Sequence, residues 1–105
     1  MDRILLDLNN PVFQETWFAL EREEALAVLD TLRKIGQMDW GQLYRDRGLR
    51  WEVILSRPGP AGQRIYSLRI TRRVRAVARR DGRFLRFLSL HPDHDSPTKC
   101  NYSGG

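Results

Sequence analysis

The apolar residues of this chain change period once, near Gly48, and that switch limits the architecture more than any other feature. Before it the spacing is helical. Phe13, Trp17 and Leu20 recur at intervals of four and three, and Ala25, Leu26, Val28, Leu29, Leu32 and Ile35 gather on one side of a second stretch. After it the period is two: Trp51, Val53 and Leu55, then Tyr66, Leu68 and Ile70, then Val74, Ala76 and Ala78 each alternate with other residues. A short aliphatic run, Ile4 to Leu8, precedes the helices and reads as a strand. The order is strand, helical pair, then a meander of three or four strands. That is an α+β fold, with the N-terminal strand and helical pair packed on one face of an antiparallel β-sheet meander.

Local signals set the boundaries. Asn10 is a good N-cap and Pro11 a good first helical residue, because the missing proline N–H would have no helical partner there. A break is expected between Leu20 and Arg22, and Gly36 is a stop. Glu21, Glu23 and Glu24 near the start of the second helix, with Arg33 and Lys34 near its end, suit the helix dipole. Asp39 caps a short third helix through Trp40, Leu43 and Tyr44, ended by Gly48. Pro58 to Gly62 reads as a loop, Asp81-Gly82 as a two-residue hairpin turn, and Phe84 to Leu90 as the last strand. With 105 residues there is room for one domain, assigned to residues 1–98, and a small polar tail at 99–105 is expected to fray.

Charge follows the same division. Residues 1–48 carry a net −3 and residues 49–105 a net +8, and 16 of the 18 basic residues are arginine, whose planar fork matches phosphate. Nine arginines lie between Arg64 and Arg86, with Asp81 the only acid among them. Alternation puts Ser67, Arg69 and Thr71 on one face of their strand, with Arg75 and Arg79 joining from the next strand and Arg72 and Arg73 in the turn. Such a face either binds a polyanion or is a solvated sheet surface. The other chemistry-bearing cluster is His91-Pro92-Asp93-His94-Asp95, which holds both histidines. It reads as a proton-transfer or phosphate-contact segment, as a structural loop, or as a metal site. A lone Cys100 forms no internal disulfide and reads as a spectator thiol, so a reducing cytoplasm is expected. Trp17, Trp40 and Trp51 read as core or partner-interface aromatics. No apolar run is long enough to span a bilayer.

In order, these features resemble the RelE/ParE toxin superfamily of bacterial toxin–antitoxin systems, and within it the RelE- and HigB-like branch. The resemblance is carried by Tyr66 to Thr71, Val74 to Val77, the Asp81-Gly82 hairpin and Leu88 to Asp95, after a strand and helical pair containing Pro11 to Phe13 and Trp17. It implies a type II toxin that is a ribosome-dependent, metal-independent mRNA interferase without cofactors, cutting mRNA by 2′-OH attack. Its implied partners are a cognate antitoxin and mRNA on the ribosome, with no membrane. It further implies that Arg75 stabilises the scissile phosphate, that Arg69 contacts RNA, and that His91, Asp93 and His94 lie in the catalytic segment; the arginine face adds Arg72, Arg73 and Arg79 as expected RNA contacts. Where relatives end that segment on a tyrosine this chain has Thr98, with Tyr102 four residues on, which shifts proton transfer toward His94. A ParE-like gyrase poison and a non-catalytic RNA- or antitoxin-binding homologue are the alternatives.

Overall fold

In the computed structural model, which describes residues 2–54 and 64–93, local signals and elements agree closely in the N-terminal half. Strand β1 (Leu5–Asp7) leads into helix α1 (Pro11–Ala19), where the Asn10 side chain accepts from the Val12 N–H at 2.8 Å. The break at Leu20 is extended backbone, and helix α2 (Arg22–Ile35) follows with Glu23 and Glu24 in its first turn and Arg33 and Lys34 in its last. Helix α3 (Trp40–Arg45) begins with a full capping box: Asp39 accepts from the Gln42 N–H, and the Gln42 side chain accepts from the Asp39 N–H. It ends at Asp46, not at Gly48 as the sequence suggests. Asp46 stops it by accepting from the Leu49 N–H at 3.0 Å and pairing with Lys34 at 3.2 Å.

The sheet contains β2 (Glu52–Ile54), β3 (Ile65–Thr71), β4 (Val74–Asp81) and β5 (Phe84–Pro92), in the order β1-β5-β4-β3-β2. Strands β2 to β5 form the expected antiparallel meander. The N-terminal strand does not pack on its face with the helices. It joins the edge of the sheet beside β5 in parallel, so the sheet is mixed. A parallel neighbour needs a long crossover, and the two strands are separated by most of the chain. The last hairpin is shifted by one residue from the Asp81-Gly82 reading: Asp81 still pairs with Phe84, and Gly82 and Arg83 make the turn. Gly82 has φ +62°, which glycine adopts without Cβ strain.

Both helices of the pair cover one face of the sheet. Phe13 of α1 meets Phe87 of β5 with ring centroids 5.2 Å apart, and Val28, Leu32 and Ile35 of α2 join the same core as Leu68, Ile70, Ala76 and Leu85. Two hydroxyls tie α2 to the end of β3: Thr31 Oγ1 donates to the Ile70 carbonyl at 2.6 Å, and Thr71 Oγ1 donates to Glu24 at 2.8 Å. Thr71 thus turns toward the helices, past a register shift between Arg69 and Thr71, and leaves the face on which alternation placed it with Ser67 and Arg69. Trp40 is buried, while Trp17 and Trp51 pack against the core from its margin. Leu55, the Pro58 to Gly62 loop, His94 and everything after it, including Asp95, Thr98, Cys100, Tyr102 and the 99–105 tail, lie outside the described residues. No helix among the described residues is long and apolar enough to cross a membrane.

Candidate functional site

The face of the sheet opposite the helices is organised by pairing register. One row runs Arg69↔Arg75↔His91 across β3, β4 and β5. The next runs Glu52↔Ser67↔Val77↔Ser89 across β2 to β5. Neighbouring strands stand about 5 Å apart, so each row places its side chains within the reach of one phosphodiester and its flanking sugars.

His91 owes this place to a bulge. Val77 pairs with Ser89 and Ala78 with Phe87, which leaves Leu88 as an extra residue on β5. Strict alternation would place Leu85, Phe87, Ser89 and His91 on one face. The inserted residue resets the phase after Phe87, so Leu85 and Phe87 stay buried while Ser89 and His91 emerge beside Arg75.

Two hollows flank Arg75. A cleft of about 450 Å³ is bounded by Ile54, Ser67, Arg75, Val77, His91 and Asp93. A smaller one of about 180 Å³ is bounded by Arg50, Glu52, Ser67, Arg69 and Arg75. Arg75 and Ser67 line both and form the wall between them. The start of the carboxy-terminal segment is anchored there, since the Asp93 N–H donates to the Arg73 carbonyl in the β3–β4 turn. Arg50 sits at φ +50°, an uncommon conformation for a residue with a Cβ, directly after Leu49, whose carbonyl accepts from the Arg69 N–H at 2.6 Å.

Eight of the nine clustered arginines divide between distinct surroundings. Arg86 donates to Asp81 and Asp7, which holds its guanidinium charge firmly above the ordinary range. The Asn9 N–H, then Arg86, hold the Asp7 carboxyl below the usual carboxylate range. Arg83 donates to the Arg3 carbonyl. Arg80 lies over the Trp40 ring at 4.3 Å and donates to the Tyr44 hydroxyl on the helix side. Among the described residues, none of the ion pairs engages Arg69, Arg72, Arg73, Arg75 or Arg79. Arg69 and Arg75 share a row. Arg79 is on the same face but four residues along β4, paired with Arg86. Arg73 lies in the adjoining turn, whereas Arg72 borders a separate hollow with Thr31, Lys34 and Leu49 beside α2.

Of the residues singled out from sequence, the structure brings Arg69, Arg75, His91 and Asp93 together, and sets Arg72 and Arg79 apart. Three members were missed: Arg50, Glu52 and Ser89. Glu52 is the single acid between Arg47 and Arg80, a signal present in the sequence, but only the β2–β3 register puts it beside Arg69 and Arg75. Among the described residues no three His, Cys, Asp or Glu side chains come together as a metal-holding group.

No family model, curated protein or solved structure matches this chain. The arrangement itself has definite chemical capacity. Two guanidinium groups that enter no ion pair among the described residues can hold a phosphate and the charge that builds on it, a carboxylate next to them can take a proton, and an imidazole across the strand can give one.

Proposed function

We propose that this protein is the toxin of a type II toxin–antitoxin system, a RelE/HigB-like, ribosome-dependent endoribonuclease of the RelE/ParE superfamily. The observation that carries the reading is the Arg69–Arg75–His91 row with Glu52 beside it. RNA supplies its own nucleophile, so the enzyme needs charge stabilisation and proton carriers rather than an activated side chain. Glu52 takes the proton of the ribose 2′-OH as that oxygen bonds to phosphorus. Arg75, with Arg69, holds the phosphate as negative charge develops. The P–O5′ bond breaks and the leaving 5′-oxygen receives a proton from His91, giving a 2′,3′-cyclic phosphate and a 5′-hydroxyl. Asp93 borders the same cleft, and His94 follows it in the chain. The basic face also suits a cognate antitoxin with an acidic segment that folds on binding.

Induced expression tests this reading, with cleavage mapped on translated mRNA. Growth should stop and cleavage should appear, and Arg75→Ala should lower cleavage by roughly 10²–10³-fold, the cost of losing one transition-state donor. Intact mRNA with induced DNA damage would replace the reading with a gyrase poison. RNA that binds but stays whole on translating ribosomes would leave a non-catalytic binder.

A further inference from the structure

Two residues before His91 on β5, Ser89 occupies the same open face, and its Oγ lies 2.8 Å from His91 Nε2. Both side chains reach that face through the Leu88 bulge. Among the described residues, Ser89 is the side chain that bonds the His91 ring. Among the described residues, the charged groups that share its row or cleft are Arg75 across on β4, Arg69 beyond on β3, and Asp93 just past its own strand. An exposed imidazole with no partner samples several rotamers. A hydroxyl suits this ring better than a charged partner would, because it can donate to a bare ring nitrogen or accept from a protonated one. The contact therefore persists whether the ring carries one proton or two.

We propose that Ser89 is a positioning residue for His91, holding Nε2 so that the imidazole lies along β5 next to Arg75 throughout proton gain and loss. Its part in RNA cleavage rests on the function proposed above; the contact itself does not. The first measurement is imidazole ¹⁵N NMR on the full chain carrying His94→Gln, which leaves His91 as the sole histidine. Ser89→Ala should shift the Nε2 resonance and the balance of neutral tautomers, and Ser89→Thr should restore both. An unchanged Nε2 resonance in the alanine variant overturns the proposal.

The second measurement is cleavage of mRNA on programmed ribosomes, with RNA binding followed in parallel and His94 intact. Ser89→Ala should slow cleavage about tenfold and displace the pH–rate profile without weakening binding, while Ser89→Thr stays within about twofold of the parent, since an oriented proton donor is worth more than a merely present one. If the parent cleaves and the alanine variant matches its rate and pH profile, Ser89 does not position the ring. If the parent cuts nothing, the nuclease reading fails, and NMR alone decides the Ser89–His91 contact.

Discussion

Substituting Arg75 should change not only how tightly the protein holds single-stranded RNA but how that hold responds to salt. Each phosphate neutralised on a single strand contributes about −0.7 to the slope of log K against log salt. Counting the arginines singled out in sequence, at positions 69, 72, 73, 75 and 79, gives five contacts and a slope of about −3.5. The structure gives a smaller number. Arg69, Arg75 and Arg79 share the open face and Arg50 lines the hollow with Arg69 and Arg75, whereas Arg72 borders a hollow beside α2 and Arg73 occupies the turn. Arg79 is four residues from Arg75, or roughly 13 Å along the strand, a distance a backbone covers in about two phosphates. The expected slope is therefore about −2.8, falling to about −2.1 for Arg75→Ala and unchanged for Arg72→Ala. Fluorescence anisotropy of a labelled oligoribonucleotide between low and physiological salt provides the measurement. A parent slope near −3.5, or equal losses from Arg72→Ala and Arg75→Ala, would refute the assignment of faces.

Phe87→Ala removes a ring that is 1% exposed and packed on Phe13, so urea denaturation should show a loss of about 3–5 kcal/mol. Gly82→Ala meets no atom within 4 Å, and its cost should be the strain of a Cβ at φ +62° alone, about 1–2 kcal/mol by the same method. Acid should destabilise the fold through Asp7 and Asp46. The Asp7 carboxyl is held low chiefly by the Asn9 N–H. Burial opposes the lowering at Asp46, but the Leu49 N–H and Lys34 outweigh it. Their contribution is complete above the ordinary carboxylate range and disappears as pH falls through the lowered folded values. Thermal midpoints followed from pH 6 to pH 3 should fall less steeply in Asp7→Asn than in the parent, and identical slopes would count against the Asp7 assignment.

The way the elements agree and disagree with the sequence has a physical pattern. Caps and periods act over three or four residues, so Asn10-Pro11, the break before Arg22 and the Asp39 cap were legible from the chain. So were the alternating strands, the apolar face of β3 turned to the helices, and the concentration of arginine in the second half. The end of α3 was not, because Asp46 stops it through contacts with Leu49 and Lys34 that no helix-terminus pattern encodes. The parallel docking of β1 on β5 was also hidden, since it joins residues some eighty positions apart.

The candidate site falls on both sides of that division. Charge and alternation are properties of neighbouring residues, so a basic sheet face and a histidine-containing segment were legible from the chain by itself. In the sequence that segment reads as starting after a last strand that ends at Leu90, whereas β5 runs on to Pro92 and takes His91 into the sheet. Which side chains meet was decided by tertiary pairing. Register set Glu52 next to Arg69 and Arg75, and one extra residue at Leu88 turned Ser89 and His91 out of the core and onto the arginine row. A strand has a period of two, so a single inserted residue inverts every side chain beyond it. That inversion depends on how β5 lies against β4, and is settled only when the two strands pair.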